Sequence, residues 1–344
     1  MNILMILPEF EEGGVERHVL WLSTELSILG HTVWVVTAGG RLEEKLHPEA
    51  RVVHLPVHRK NPFTALFSAL RIAALARREE IDVIHAHSRV PAWIAWWASL
   101  FSGKPWIVTA HDRYRKNAAI RPFLKADGAI CVSEAVRSHL EGSLPARTVV
   151  IRNGIPDKPA RWQKREDPGP FRFLFVGRLT RRKGLHVALS ALSSVKGNPW
   201  VLDILGDGPQ REELEAMAVN LGLEGKVFFH GFRDDVESWM ASSDCLLFPS
   251  LDEGMPLVLM QAVRVGIPVL ASAIDPVIEL TGKSESLLPP GDEDAWVCGL
   301  SRILQEGKDP PRFDPSMVPL ARQMAEQTGC FLKRMAVGKN AGKA

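Results

Sequence analysis

Residues 173–184 read Phe173-Leu174-Phe175-Val176-Gly177-Arg178-Leu179-Thr180-Arg181-Arg182-Lys183-Gly184. An apolar run stops at a glycine, passes through four cations in six residues, and meets a second glycine where a helical pattern over 184–195 begins. A strand that feeds directly into a turn and a helix opens a strand–helix–strand unit, and its continuous apolar character means burial on both faces. Downstream the pattern repeats, with strands expected at 201–205, 227–230, 245–248, 268–271 and 287–288 and helices at 209–221, 236–241 and 256–265. Upstream, strands at 2–7, 32–37, 51–55, 83–87, 106–110, 129–132 and 149–152 alternate with helices such as 15–29 and 62–79. Between the two series, residues 156–170 are polar and proline-rich, as an interdomain linker is. The expectation is an α/β chain of two doubly wound, Rossmann-like domains. They cover 1–160 and 171–318, joined by a linker at 161–170 and followed by a helical segment and fraying tail at 319–344. Such sheets bind ligands outside the carboxyl ends of their strands, which makes an interdomain cleft the expected site.

Composition agrees with this. The 344 residues are 46% hydrophobic and 24% charged, enough to bury two cores, and exclude a disordered, collagen-like or disulfide-stapled chain. Forty-two basic against 40 acidic residues leave a net charge of +2, so the global balance gives no reason to expect a nucleic-acid partner. Four cysteines at 131, 245, 298 and 330 form no close-spaced pair, which argues against a zinc module or disulfide framework and for a reducing, cytoplasmic setting. The first residues lack the basic start of a signal peptide, and the longest apolar run, 90–101, is too short to span a bilayer.

Cations between a strand end and a helix N-terminus suit an anionic phosphate, because free backbone N–H groups and the helix dipole add to the side-chain charge. A solvated basic loop is the alternative. A second loop, Pro249-Ser250-Leu251-Asp252-Glu253-Gly254-Met255-Pro256, precedes a helix that carries Gln261, eight residues after Glu253. Two helical turns bring these positions to one side, so Glu253 and Gln261 can face one pocket, unless Glu253 is simply a helix cap. Gly254 permits close backbone approach and Pro256 suits a first turn. The adjacent Asp234 and Asp235 precede a helix start and read as capping or solvated residues, and no Asp-x-Asp motif stands in a loop suited to a metal.

Taken together, 175–185 (Phe-Val-Gly-Arg-Leu-Thr-Arg-Arg-Lys-Gly-Leu), 205–209 (Leu-Gly-Asp-Gly-Pro), 227–232 (Val-Phe-Phe-His-Gly-Phe) and 248–257 (Phe-Pro-Ser-Leu-Asp-Glu-Gly-Met-Pro-Leu) carry a resemblance. So do Gly-Gly-Val-Glu-Arg-His (13–18), His-Ala-His-Ser (85–88) and Ile-Arg-Asn-Gly-Ile (151–155). The chain resembles the family 4 retaining glycosyltransferases of the GT-B fold, of the kind that build lipopolysaccharide and cell-surface glycans.

The resemblance implies a nucleotide-sugar donor, a hexose-type sugar, and a glycan, lipopolysaccharide-core or lipid-linked acceptor. No resident cofactor or metal is implied, since Arg178 and Lys183 match the family's diphosphate-binding pair. Glu253 matches the first acid of the Glu-x7-Glu motif at the sugar, with Gly254, Met255, Pro256 and Leu257 alongside. Gln261 stands where the family has its second Glu, at the ribose; the amide keeps one acceptor oxygen and adds two donors. Gly231 and Phe232 match donor-side positions, as do Gly13 and Gly14 in the first domain, where Glu16 is expected to complement its helix dipole. His111 falls beside the donor sugar and acceptor hydroxyl, in an orienting and hydrogen-bonding role. His85 and His87 are read as pointing to opposite faces of strand 83–87, which leaves His87 as a secondary candidate. Ser133, Asn153 and Gly154 are expected to shape the cleft. The implied route is front-face attack with retention, the departing phosphate taking the acceptor's proton.

The near-neutral total hides an asymmetry. Residues 51–125 hold thirteen Lys/Arg against four Asp/Glu, a local net of +9. The helix from Pro62 carries Arg71, Arg77 and Arg78 on an amphipathic pattern, with Trp93, Trp96 and Trp97 nearby, a combination suited to an anionic membrane or to packing on the sheet. Arg113, Arg115 and Lys116 follow His111 and suit an anionic acceptor. A dehydrogenase is disfavoured, because 11–16 lacks the Gly-x-Gly-x-x-Gly fingerprint. A catalytically silent sugar-nucleotide-binding or scaffold protein is the remaining alternative.

Overall fold

The computed structural model describes residues 1–157, 160–165, 169–282 and 286–341. Residues 158–159, residues 166–168 of the expected linker and residues 342–344 of the expected tail lie outside the described residues. The chain divides into two compact units, residues 1–156 with 319–344, and residues 157–318.

The first unit runs β1 (Asn2–Ile6), α1 (Gly14–Ile28), β2 (Thr32–Thr37), β3 (Arg51–His54), α2 (Pro62–Arg78), β4 (Val83–His87), α3 (Arg89–Ser102), β5 (Trp106–Ala110), β6 (Gly128–Cys131), α4 (Glu134–His139) and β7 (Thr148–Val150). Its parallel sheet has the order β3-β2-β1-β4-β5-β6-β7. Local chemistry marks the helix ends. Pro62 occupies the first turn of α2 while the Asn61 side chain accepts from Phe63 N–H, and Gly103 closes α3 in the left-handed conformation. Ile3, Met5, Val83, Ile107 and Ile130 of the sheet pack with Val19, Leu22 and Leu26 of α1.

The second unit runs β8 (Phe171–Val176), α5 (Leu185–Ser194), β9 (Trp200–Leu205), α6 (Arg211–Asn220), β10 (Val227–Gly231), α7 (Val236–Ser242), β11 (Cys245–Phe248), α8 (Leu257–Val265), β12 (Val269–Ala271), α9 (Asp275–Thr281) and α10 (Glu293–Leu304). The order β10-β9-β8-β11-β12 is again parallel. Phe173, Phe175, Leu202, Ile204 and Leu247 meet α5 on one side of a core closed by Trp296, Leu300 and Leu304 of α10. The strand expected at 287–288 is a single bridge, Ser272 to Leu288.

The boundaries lie elsewhere than the proline-rich composition suggests. Trp162 and Arg165 belong to the second unit: the Trp162 indole donates to Ser243 O at 2.7 Å and Arg165 pairs with Asp244 at 3.0 Å. The final helix, α11 (Ala321–Ala341), belongs to the first unit. Its Met324, Phe331, Leu332 and Met335 join the α1 core, and Ala321 N–H donates to Ile155 O at 2.8 Å.

In both sheets the chain moves outward from one strand and then returns to its other side, giving switch points between β1 and β4 and between β8 and β11. Loops that leave adjacent strands there diverge and leave a crevice at the carboxyl edge. In the second unit the loops after β8 and β9 meet backbone to backbone. A Cβ on Gly206, whose φ is +131°, would lie 2.1 Å from Gly177 O. Gly206→Ala is expected to destabilise the protein by about 2–4 kcal/mol, from backbone strain plus overpacking. Urea unfolding measures this, and an unchanged midpoint would show that the two loops are not in contact.

Candidate functional site

At the β8/β11 switch point a backbone contact holds the cationic loop. Gly184 has φ +69°, and a Cβ there would sit 1.9 Å from Pro249 O. Leu251 N–H donates to Arg182 O at 2.7 Å, so the loops after β8 and β11 are zipped together. This registry places Lys183 Nζ 2.5 Å from Glu253 Oε1, and Ser250 Oγ donates to the same oxygen at 2.9 Å. Glu253 is only 8% exposed, so its charge needs these donors; it does not cap α8. Arg182 pairs with Asp252 at 3.1 Å, whereas Arg178 is exposed and its side chain has no ion-pair partner among the described residues.

Gly254, Met255, Pro256 and Leu257 are buried and lead into α8, whose N-terminus has no side-chain cap. Uncapped first-turn N–H groups are a favourable setting for an anion or a hydroxyl oxygen. Gln261 lies on α8 and is 6% exposed. Gly231 ends β10 at φ +68° with Arg211 beside it, and Phe232 follows half-buried. Asp235 stands before α7 but makes no capping bond; Arg233 grips both its carboxylate oxygens at 2.9 Å.

The first unit has its own cluster at the β1/β4 switch point. Gly13 caps α1 in extended conformation, Gly14 begins the helix, and a Cβ on Gly13 would fall 2.2 Å from the Glu16 carboxylate, which therefore lies over its own helix start. His18, on the first turns of α1, meets His87 of β4 and His111 beyond β5, with ring centroids 5.5 and 4.6 Å away. His87 Nδ1 and His111 Nε2 are 3.1 Å apart and share a hydrogen bond.

The expectation that His85 and His87 face opposite ways is corrected. They are two residues apart in one strand, so the pleat puts both on the same face, and their rings lie 4.1 Å apart. His85 bonds Thr109 Oγ1 at 2.7 Å. Burial pushes the His18 imidazole down to about 4, with the Asn153 bond opposing. Burial, then the His18 charge, takes His85 to about 3. His87 and His111 are held well below the usual imidazole range by burial and by the other histidines. The four rings are therefore neutral at pH 7. One nitrogen each of His18, His87 and His111 lies within 4.8 Å of the others, a set of donors able to hold a transition-metal ion.

His18 and Asn153 were legible only as parts of separate motifs. His18 Nδ1 donates to Asn153 Oδ1 at 2.8 Å across 135 positions, a pairing that no local spacing announces. Ser250 carried a fainter signal, three residues before Glu253. Ser133 caps α4 through a bond from Val136 N–H, and Gly154 abuts Leu320 O. The basic residues separate into two groups. Arg113, Arg115 and Lys116 follow β5 at the carboxyl edge, with Lys116 donating to Glu141 O at 3.1 Å. Arg71, Arg77 and Arg78 are exposed on α2, and the last two lie at the end that returns to the opposite edge.

The Lys183–Glu253 pair is testable by a stability cycle. Lys183→Met and Glu253→Gln, singly and together, are expected to show a coupling of about 1 kcal/mol or more in urea unfolding, as contacting charged groups do. Strict additivity would show that the pair does not form.

Comparison with known proteins follows the same division. Residues 12–158 match the family model described as Glycosyltransferase Family 4, and residues 157–316 match Glycosyl transferases group 1. A putative colanic acid biosynthesis glycosyltransferase of Salmonella typhimurium is 31% identical over 196 residues, covering 53% of this chain and 48% of the relative. A glycogen synthase of Mycobacterium tuberculosis is 28% identical over 377 positions, covering 94% and 90%. Among solved structures, Anabaena Alr3699/HepE in complex with UDP and glucose superposes with a TM-score of 0.76 at 19% identity, covering 99% of this chain and 100% of that one. With both parallel sheets, both family models and this shared architecture in agreement, the chain belongs to the family 4 glycosyltransferases and has the GT-B fold.

Proposed function

We propose that the protein is a metal-independent, retaining transferase that moves a hexose-type sugar from a nucleoside diphosphate to a cell-surface glycan, lipopolysaccharide-core or lipid-linked acceptor. The observation that carries this reading is the Lys183–Glu253–Ser250 cluster at the β8/β11 switch point, with Arg178 exposed on the same loop and the N-terminus of α8 following Glu253. Cleavage of the anomeric C–O bond sends its electron pair to the diphosphate, so charge develops on phosphate oxygen. Arg178, Lys183 and the α8 N–H groups are suited to stabilise it, each charge-assisted bond contributing about 1.5–3 kcal/mol. Glu253 then accepts from a sugar hydroxyl while Lys183 offsets its repulsion of the phosphates, and Gln261 takes the ribose. Retention follows if the acceptor oxygen attacks from the side the phosphate leaves and gives its proton to that phosphate. His111 orients the sugar, and no carboxylate base is needed. A relative in colanic acid synthesis supports a glycan acceptor.

Nucleoside diphosphate release across UDP-, GDP- and ADP-sugars tests the reading. Arg178→Ala is expected to lower kcat/KM about 10–100-fold, the loss of one such bond. Gln261→Ala is expected to raise the donor KM. Binding without turnover on any acceptor would favour the silent alternative.

We also infer a peripheral contact with anionic membrane through the first unit, where α2 carries a second apolar stripe on its exposed side. Its buried face combines the small residues Ala65, Ser68, Ala69, Ala73 and Ala76 with Ile72 and Leu75. Phe63, Leu66, Phe67 and Leu70 form an exposed stripe, Phe63 at 82%. Arg71 follows on this face, Arg59 and Lys60 precede it, and Leu100 and Phe101 of α3 are exposed as well. Trp93, Trp96 and Trp97 are half-buried and packed on one another. Among the described residues no helix is long and apolar enough to cross a membrane. Co-sedimentation with phosphatidylglycerol-containing vesicles is expected, weakening with salt and lost in Phe63→Ser/Phe67→Ser. Equal binding to neutral vesicles would overturn the electrostatic part, and equal binding by the double variant would remove the stripe.

A further inference from the structure

We propose that His87 is a positioning residue that sets the tautomer of His111, so that His111 offers an N–H donor from Nδ1 and never a base from Nε2. Pairing of β4 with β5 sets His87 beside Thr109, and His111 follows two residues later. The two rings are thereby brought to 3.1 Å between His87 Nδ1 and His111 Nε2.

Two neutral imidazoles joined in this way share one proton, which leaves two arrangements. If His111 donates from Nε2, His87 must carry its own proton on Nε2. That nitrogen is buried and has no hydrogen-bond partner among the described residues, so the arrangement creates an orphaned N–H. If His87 donates from Nδ1, its Nε2 is only a bare lone pair. Buried orphan N–H groups are rarer and costlier than under-used acceptors. The second arrangement is therefore selected, and it obliges His111 to hold its proton on Nδ1.

The surroundings keep His87 in place for this task. The His85 ring lies against it at 4.1 Å and is itself tied to Thr109. Immediately after His87 the backbone passes through Ser88 at φ +89°, a conformation that a residue with a side chain keeps only where its neighbours over-determine it. Ser88 Oγ accepts from Arg89 N–H at 2.7 Å at the start of α3. On the other side, Asn153 fixes the His18 proton on Nδ1 and presents its bare Nε2 to the cluster. Protonation of the cluster is opposed by burial and by mutual repulsion among the four rings. His111 is thus held neutral in one tautomer, a preorganised donor for a sugar hydroxyl.

The kinetic consequence rests on the proposed glycosyl transfer; the tautomer does not. With 15N-histidine label in the full chain and His111→Asn to assign its signals, long-range 1H–15N correlation at pH 7 is expected to show His111 protonated on Nδ1. In His87→Leu the Nε2–H form should appear. In His87→Asn, whose amide N–H stands near the position of Nδ1, the Nδ1–H form should be retained. With a donor found, His87→Leu is expected to lower kcat about 10-fold, the worth of one misplaced hydrogen bond, with donor KM changed less and His87→Asn recovering most of the loss. His111 protonated on Nε2 in the unmodified protein, or an unaltered tautomer in His87→Leu, would overturn the proposal. If the tautomer switches as expected but no donor is turned over, the transferase reading fails while the role of His87 stands.

Discussion

The second unit depends on the contact between the Gly184 backbone and the Pro249 carbonyl, where no side chain can be accommodated. Two loops from strands that are neighbours in the sheet but seventy residues apart in sequence are joined there by main chain alone. The same rule operates one loop further, at Gly206 against Gly177. Because main-chain atoms rather than flexible side chains set the spacing, the loops have little freedom to drift. Lys183 and Glu253 then meet at 2.5 Å with Ser250 as a third member. A buried carboxylate costs much without partners, so the cluster is stable only if that backbone registry holds. The arrangement of charge at this edge is thus a by-product of how two glycines pack.

The first unit reaches preorganisation by another route. Among the described residues its switch point gathers four buried histidines with no carboxylate ion pair at their ring nitrogens, so burial outweighs the Asn153 bond and the rings are neutral. Neutral imidazoles differ from charged ones in that each nitrogen has a fixed identity, donor or acceptor, and the identity at one ring constrains the next. Asn153 settles His18, Thr109 anchors His85, and the orphan nitrogen of His87 settles His111. The chain returns to this unit through α11, whose apolar residues complete the core behind α1.

Helix α2 shows why patterns of residue type need a partner to be interpreted. Alanines, Ser68, Ile72 and Leu75 face inward where it packs on α3, and Phe63, Leu66, Phe67 and Leu70 are left outside. In sequence, the large residues would ordinarily be assigned to the core and the small ones to the surface. Which stripe faces inward depends on the space between α2 and α3, and that is a property of the packed layer.

Much of this protein was legible in its residues. The alternation of apolar strands and helical runs determined two doubly wound units, because a parallel sheet covered on both faces needs that alternation. Strand-end motifs placed Arg178, Lys183, Glu253 and His111 at the carboxyl edges of the two sheets, since each follows an apolar strand. The departures have a common cause. The proline-rich composition suggested a linker at 161–170, but Trp162 and Arg165 found acceptors on the second unit. The His85–His87 orientation, the His18–Asn153 bond, the Ser250 contact and the outward turn of α2 likewise depend on which distant segment lies alongside. Local pattern specifies which elements form and which residue types stand at their ends. Only packing decides which of those ends come within hydrogen-bonding distance, because that distance is set by backbones meeting far apart in sequence.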